Sequence, residues 1–178
     1  MRILIGLCGQ MGSGKSFVAE YLQEKYSFKR FRISGKMREI AIDLDIEPTR
    51  DFLQGIGKFM REYDDDVWIK YLSKRILNEK GNIVVDDIRR INEIKFLKPL
   101  GFLIIRIDSS EIERKSRIEQ RTGEKIPEDE WLRWQNHITE IQVKDIPVDI
   151  VINNNGTVET LKSEIDLLMT KLMSSITL

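Results

Sequence analysis

The 178 residues suffice for one domain of ordinary size, and a composition of 41% apolar and 33% charged residues excludes a collagen, a low-complexity chain and a membrane protein. Twenty-nine Lys and Arg balance 29 Asp and Glu, so the chain lacks the basic excess of a protein that coats nucleic acid, and any charge-based function is local. Cys8 is the single cysteine, which excludes an internal disulfide framework; lying in an apolar run, it reads as a buried thiol in a reducing compartment. No stretch reaches the roughly 18 consecutive apolar residues that span a bilayer, and the short apolar run near the N-terminus leads into glycines without a cleavage site, so a cytoplasmic protein with no membrane partner is expected.

In chain order, Ile3 to Cys8 is a short, nearly continuous apolar run with the pattern of a strand buried on both faces. Gly9 to Ser16 is glycine-rich, and Val18, Tyr21, Leu22 and Tyr26 then recur at helical spacing. A weaker strand is expected within Phe28 to Ile33. The stretch from about 34 to 78 shows no strand pattern, and its apolar residues suit several helices. Ile83 to Val85, Phe102 to Ile105 and Val148 to Ile152 repeat the buried-strand pattern. Asn155-Gly156 marks a turn, Thr157 is placed to cap a helix, and Val158, Leu161, Ile165, Leu168 and Leu172 form that helix's apolar face. Strands alternating with helices predict a single α/β domain over 1–178: three layers, a mostly parallel sheet covered by helices, and ligands at the carboxyl ends of the strands.

Gly9-Gln10-Met11-Gly12-Ser13-Gly14-Lys15-Ser16 fits G-x-x-x-x-G-K-[ST], and it sits between a strand and an amphipathic helix as the phosphate-binding mechanism requires. Glycines let the backbone wrap an anion, so that successive N–H groups and the positive end of the helix face it. The residues Gly9, Met11, Gly12, Ser13, Gly14, Lys15 and Ser16 are therefore candidate nucleotide contacts. Lys15 supplies charge to the β- and γ-phosphates and Ser16 a hydroxyl to the metal, which implies ATP or GTP with Mg²⁺.

Asp86 and Asp87 end a buried strand at the edge expected to face the nucleotide, where a carboxylate can hold metal-bound water or take a proton. Arg89 and Arg90 follow at once, and guanidinium groups suit phosphate oxygens. Arg114, Arg117 and Arg121 share one helical face; Thr122-Gly123 breaks that helix and Pro127 opens another, so about 111–136 has the form of a basic lid. Arg50, Gln54 and Arg61 share a second face, which Arg38 could join, and together they would bind a small phosphorylated acceptor. Asp64-Asp65-Asp66 reads as a helix cap, and Trp68, Trp131 and Trp134 as packing residues. His137 is the lone histidine, so no His-based metal cluster or Ser-His-Asp arrangement is supported.

These residues resemble the P-loop small-molecule kinases related to nucleoside monophosphate kinases, in particular the deoxynucleoside monophosphate kinase-like branch. The likeness covers nearly the whole chain: the loop Gly9 to Ser16, Ser34-Gly35-Lys36-Met37-Arg38-Glu39, Glu47-Pro48-Thr49-Arg50 through Arg61, Asp87-Ile88-Arg89, and Asp149 to Asn153 before Gly156. The resemblance implies that Asp87 lies near metal and acceptor, that Arg89 contacts phosphate, that Asn153 to Gly156 forms an adenine-side loop, and that Arg117 belongs to the lid. It also adds Ser34 to the acceptor side. Asp86 departs from the small or apolar residue usual in that family. Arg32 to Gly35, Asp87 to Arg90 and His137 to Glu140 also resemble animal-type phosphomevalonate kinases, and the C-terminal third resembles dephospho-coenzyme A kinase.

The expectation is an ATP- and Mg²⁺-dependent phosphotransferase acting on a small phosphorylated acceptor, a (deoxy)nucleoside monophosphate first, as a monomer or homodimer with no nucleic-acid partner. Lys15, Asp87, Arg89, Arg117 and Arg121 are its expected catalytic groups. A nucleotide-dependent switch or ATPase is the rival class, and the absence of an Asn-Lys-x-Asp sequence disfavours its guanine-nucleotide form.

Overall fold

The computed structural model describes residues 2–174. Its centre is β1 (Leu4–Cys8), flanked by β3 (Ile83–Ile88) and β4 (Leu103–Asp108), with β2 (Lys29–Arg32) and β5 (Ile150–Asn153) at the edges. All four pairings are parallel, in the order β2-β3-β1-β4-β5. Parallel neighbours need crossovers, and helices make them, covering both faces of the sheet. Alternation along β1 divides its side chains between two cores. Ile5 and Leu7 meet α1 (Lys15–Tyr26) and α9 (Val158–Ser174) through Val18, Leu22, Leu161, Ile165 and Met169. Leu4 and Cys8 meet α4 (Val67–Leu77) and α5 (Ile91–Leu97) through Trp68, Ile69, Leu72, Ile76, Ile94 and Leu97. Each wholly buried aliphatic side chain in these layers contributes about 1.5–3 kcal/mol by leaving water.

The stretch from 34 to 78 forms three helices: α2 (Gly35–Asp43), α3 (Arg50–Tyr63) and α4. Only α2 and α3 stand over the strand ends; α4 belongs to the layer against the sheet. Beyond β4, α6 (Glu111–Thr122) ends at Gly123, which takes a left-handed conformation as helix C-caps favour, and α7 (Glu128–Gln135) begins after Pro127. Ile118, Ile126 and Trp131 give this pair a small core of its own. The five-residue α8 (Ile138–Gln142) then returns the chain to the site.

Three sequence expectations need adjustment. The strand pattern read at Ile83 to Val85 runs on through both acids to Ile88, its pairing with β1 resuming at Cys8–Ile88. β5 is an edge strand, so Val151 is 49% exposed where two covered faces were expected. In α9, Met169 rather than Val158 faces the core, Val158 lying in the exposed first turn. Thr157 does cap that helix, its Oγ1 accepting from the Thr160 N–H at 3.2 Å. Among the described residues no helix is long and apolar enough to cross a membrane.

Candidate active site

The loop Gly9 to Ser16 joins β1 to α1 at the carboxyl edge of the sheet, with Gly14 as the N-cap of α1. Its three glycines are needed for space as well as conformation: at Gly9 (φ +141°) a Cβ would lie 2.4 Å from the Ile107 carbonyl oxygen. At Gly12 (φ +78°) a Cβ would lie 2.6 Å from the Arg114 carbonyl oxygen, and at Gly14 (φ +103°) it would lie 2.3 Å from Asn154 Nδ2. Lys15 is 8% exposed, and its ammonium donates to the carbonyls of Gly9 at 2.7 Å and Gln10 at 2.8 Å. Burial, aided by the nearby Arg89 charge, pulls the Lys15 pKa down to about 8. Ser13 is buried, and its Oγ has no hydrogen-bond partner. Ser16 lies exposed in the first turn of α1. A glycine-rich loop at the N-terminus of a helix, an unspent buried hydroxyl and a lysine at its mouth suit a polyphosphate, and the Ser16 hydroxyl with the Asp87 carboxylate suits a hard, oxygen-seeking cation.

The two adjacent acids of β3 part company at a bulge. Gly6 pairs with Val85 and Cys8 with Ile88, so one residue of β1 opposes two of β3 between those pairs. Asp87 there adopts φ +72°, a left-handed conformation that costs a non-glycine residue roughly 1–2 kcal/mol. The turn sends Asp87 into a cleft beside the loop, where Arg89 Nε donates to its Oδ1 at 2.7 Å. Burial acts to raise the Asp87 pKa, but Arg89 and Lys15 more than offset it, and the carboxyl sits below its usual range. Asp86, 2% exposed, faces β2 instead: Arg30 Nε donates to its Oδ2 at 2.8 Å, and Arg32 Nε lies 3.4 Å from the same oxygen. Of the two acids only Asp87 lines the cleft; Asp86 places Oδ2 in a buried ion pair with β2, and its Oδ1 is buried without a hydrogen-bond partner.

The cleft has a volume of about 930 Å³. Ser34, Arg38, Arg50, Gln54, Arg61, Arg89, Arg90 and Arg121, all singled out in the sequence, line it together with Met11 and Asp87. Ile33, Met37, Leu53, Ile118 and Trp134 supply apolar wall, with the Arg50 guanidinium 4.9 Å from the centre of the Trp134 ring system. Trp134 is therefore partly a cleft residue. Arg38 Nε is buried without a hydrogen-bond partner. Arg90 pairs with Asp65 at 2.9 Å, and Arg61 lies 3.9 Å from Glu93.

The three arginines of α6 do not converge. Arg121 reaches the cleft, whereas Arg117 donates to the Asn154 carbonyl at 2.8 Å and to Ser109 Oγ at 2.9 Å, on the side of the loop after β5. Arg114 is buried against Trp131 and donates to the Met11 carbonyl at 3.3 Å. Asn153 is exposed, and its side chain accepts from the Asn155 N–H at 3.1 Å; its neighbour Asn154 is the one bonded to the donor loop, through Ser13 O at 2.9 Å. Gly156 is exposed beyond it, where a Cβ would crowd Thr160 Oγ1.

Two buried acids escaped the sequence reading of the site. Glu93, in the first turn of α5, accepts from the Arg89 N–H at 2.8 Å and the Arg90 N–H at 3.1 Å. Burial pushes its pKa up to about 7. Glu140, on α8, accepts from the Met11 N–H at 2.7 Å through Oε2 and is hydrogen-bonded to Arg89 through Oε1. Burial alone would raise the Glu140 pKa, but Arg89 and the Met11 N–H hold it down. A Glu three residues into a helix at Glu93 was a visible capping signal. Glu140 lay in the stretch His137 to Glu140 that carries the resemblance to phosphomevalonate kinases, but no local pattern marked its role, since it approaches the loop from 129 residues away.

Residues 5–152 match the AAA_18 family, described as an AAA domain. The chain belongs to the AAA_18 family. Its fold is that of the P-loop small-molecule kinases. Among relatives of this AAA_18 protein, a "UPF0200 protein" of Aeropyrum pernix is 27% identical, the alignment covering 92% of this chain and 90% of the relative. A protein of Acanthamoeba polyphaga mimivirus named "Putative deoxynucleotide monophosphate kinase" is 26% identical, over 92% and 94%. In fold the chain is similar to shikimate kinase from Acinetobacter baumannii (TM-score 0.66, 14% identity, 96% and 95% covered) and to a gluconokinase from Sinorhizobium meliloti (TM-score 0.63, 17% identity, 99% and 98% covered). P-loop kinases of this kind generally use ATP and Mg²⁺.

Proposed function

We propose that the protein transfers the γ-phosphoryl group of ATP to a small phosphorylated acceptor, a (deoxy)nucleoside monophosphate foremost, in the cytoplasm. The observation that carries this reading is the cleft at the mouth of the donor loop, in which Arg38, Arg50, Arg61, Arg89, Arg90 and Arg121 surround an apolar wall ending in Trp134. Guanidinium groups recognise phosphate oxygens in a planar, bidentate manner, and an apolar, aromatic wall suits a flat ring. The name of the mimivirus relative supports the same acceptor class.

In this reading Lys15 and the loop N–H groups hold the donor phosphates, with Gly9, Met11, Gly12, Ser13 and Gly14 shaping the cradle. Ser16 and Asp87 hold Mg²⁺, which neutralises phosphate charge when bound. Arg89 and Arg121 stabilise charge on the group in flight, and Arg117 orders the Asn153 to Gly156 loop beside the donor base. Ser34, Arg38, Arg50, Gln54, Arg61 and Arg90 orient the acceptor. Because a phosphate acceptor arrives already ionised, the chain's work is positioning and electrostatics rather than proton removal.

The test is a screen of purified protein with Mg-ATP against deoxynucleoside and nucleoside monophosphates, mevalonate phosphates and dephospho-coenzyme A. Turnover of one or more nucleoside monophosphates is expected. Turnover confined to a mevalonate phosphate or dephospho-coenzyme A overturns the acceptor assignment, and ATP hydrolysis stimulated only by a macromolecule overturns the kinase reading.

A further inference from the structure

Met11 is gripped from three directions, twice at its peptide and once at its side chain. Glu140 of α8 accepts its N–H at 2.7 Å, Arg114 of α6 donates to its C=O at 3.3 Å, and Arg50 of α3 approaches its Sδ at 2.7 Å. Of the three grips, only that of Glu140 brings a negative charge to a loop otherwise suited to anions. The carboxylate is 2% exposed, and a second link runs from Gln10 Nε2 to the Glu140 carbonyl at 3.5 Å. A buried carboxylate persists only where hydrogen bonds and opposite charge offset its lost hydration, and here the Met11 N–H and Arg89 provide both.

Where this charge sits within the loop decides what it can do. The Lys15 ammonium, the group that serves β- and γ-phosphates in such loops, rests on the carbonyls of Gly9 and Gln10. The Gly9 to Met11 end is therefore the terminal-phosphoryl end. Arg89 in turn bridges Glu140 and Asp87, so one guanidinium is fixed between a carboxylate of the cleft and a carboxylate anchored on the loop.

We propose that Glu140 is a positioning residue for phosphoryl transfer: its carboxylate locks the Met11 peptide and the Arg89 guanidinium in one arrangement, and its charge weakens the hold of the loop on a triphosphate relative to a diphosphate. The proposal rests on the kinase reading above. A purely structural side chain would, on replacement, weaken nucleotide binding and turnover together. A positioning carboxylate makes them move apart, because removing its charge relieves repulsion of the γ-phosphate while Arg89 loses one of its two anchors.

The full chain is compared with its Glu140→Gln and Glu140→Asp variants by calorimetric titration with Mg-ATP and Mg-ADP, by steady-state kinetics and by thermal melting. Glu140→Gln keeps an acceptor for the Met11 N–H but removes the charge; it should bind ATP about threefold to tenfold more tightly, shift ADP affinity less than about twofold, and lower kcat about tenfold or more. Glu140→Asp keeps the charge but shortens its reach; its ATP-to-ADP preference should stay within about twofold of the parent while kcat falls. Parallel changes in ATP and ADP affinity in Glu140→Gln, or an unchanged kcat in both variants, overturn the proposal. If Glu140→Gln does not fold, Glu140→Asp decides, since an altered ATP-to-ADP preference or a preserved kcat there refutes it. If the parent chain phosphorylates no acceptor, the kinase reading falls, and the ATP-to-ADP ratio of Glu140→Gln still judges the role of the carboxylate.

Discussion

The Asn154 side-chain amide donates to the Ser13 carbonyl oxygen at 2.9 Å, fastening the segment after β5 to the donor loop across 141 positions of sequence. Asn154 is buried, so Asn154→Ala leaves a buried carbonyl without its donor at a cost of about 1–3 kcal/mol. The melting temperature should fall by several degrees and the KM for ATP should rise, with a smaller effect on the KM for the acceptor. Thermal melts and initial-rate kinetics on the variant check both.

Lys15 predicts a proton linkage. With its pKa near 8 in the free protein, the amine is partly neutral at pH 8, and polyphosphate favours the charged form. Nucleotide binding at pH 8 should therefore take up a fraction of a proton, and the uptake should vanish near pH 6, where Lys15 is charged both free and bound. Calorimetry in buffers of different ionisation enthalpy measures it, and Lys15→Arg should abolish it.

The bulge in β3 predicts that neighbouring substitutions differ chiefly in their effect on activity. Asp86→Asn removes the buried one of the two carboxylates paired with Arg30 and leaves Glu20 at 2.9 Å, so stability should fall by about 1–3 kcal/mol and the melt by several degrees. Asp87→Asn sits where asparagine tolerates the left-handed backbone, and Arg89 keeps its Glu140 partner, so the loss of the Arg89 pair should cost modest stability while kcat falls about a hundredfold or more. A melt and an activity assay on each variant separate the two acids.

Glu93 makes stability fall with rising pH. Its carboxyl is raised to about 7 in the folded protein from an ordinary value of 4.5, so the native chain keeps a proton that the unfolded chain releases. The associated stability is complete below pH 4.5 and is lost as pH climbs through 7, a swing of roughly 3 kcal/mol at most. Denaturant titrations from pH 5 to pH 8 should show this decline in the parent and a flatter profile in Glu93→Gln.

The strands, the donor loop and the arginines of α2 and α3 were legible because each announces itself locally. Ile3 to Cys8 is β-branched and continuous, the glycines of the loop have fixed spacing, and Arg50, Gln54 and Arg61 repeat at the helical period. What the sequence withheld depends on direction at a single backbone angle or on partners far along the chain. Asp86 and Asp87 are chemically identical neighbours, separated only by a bulge that no residue pattern marks. Asn153 and Asn154 differ by one step of strand alternation, which turns one to the surface and the other to Ser13. Arg114 and Arg117 occupy one helical face as expected, but that face meets the donor loop at one turn and the post-β5 segment at the next.

The close approach of Gly12 to the Arg114 carbonyl has a bearing on how the enzyme can move. Backbone lies against backbone there with no side chain between to yield, so the root of α6 travels with the loop as one rigid piece. Any bending of α6 over the cleft would then fall farther out, toward the Gly123 elbow that carries Arg121 on its near side. Any substitution that widens the Gly12 contact would shift that bend inward and trade a stiff phosphate cradle for a looser one.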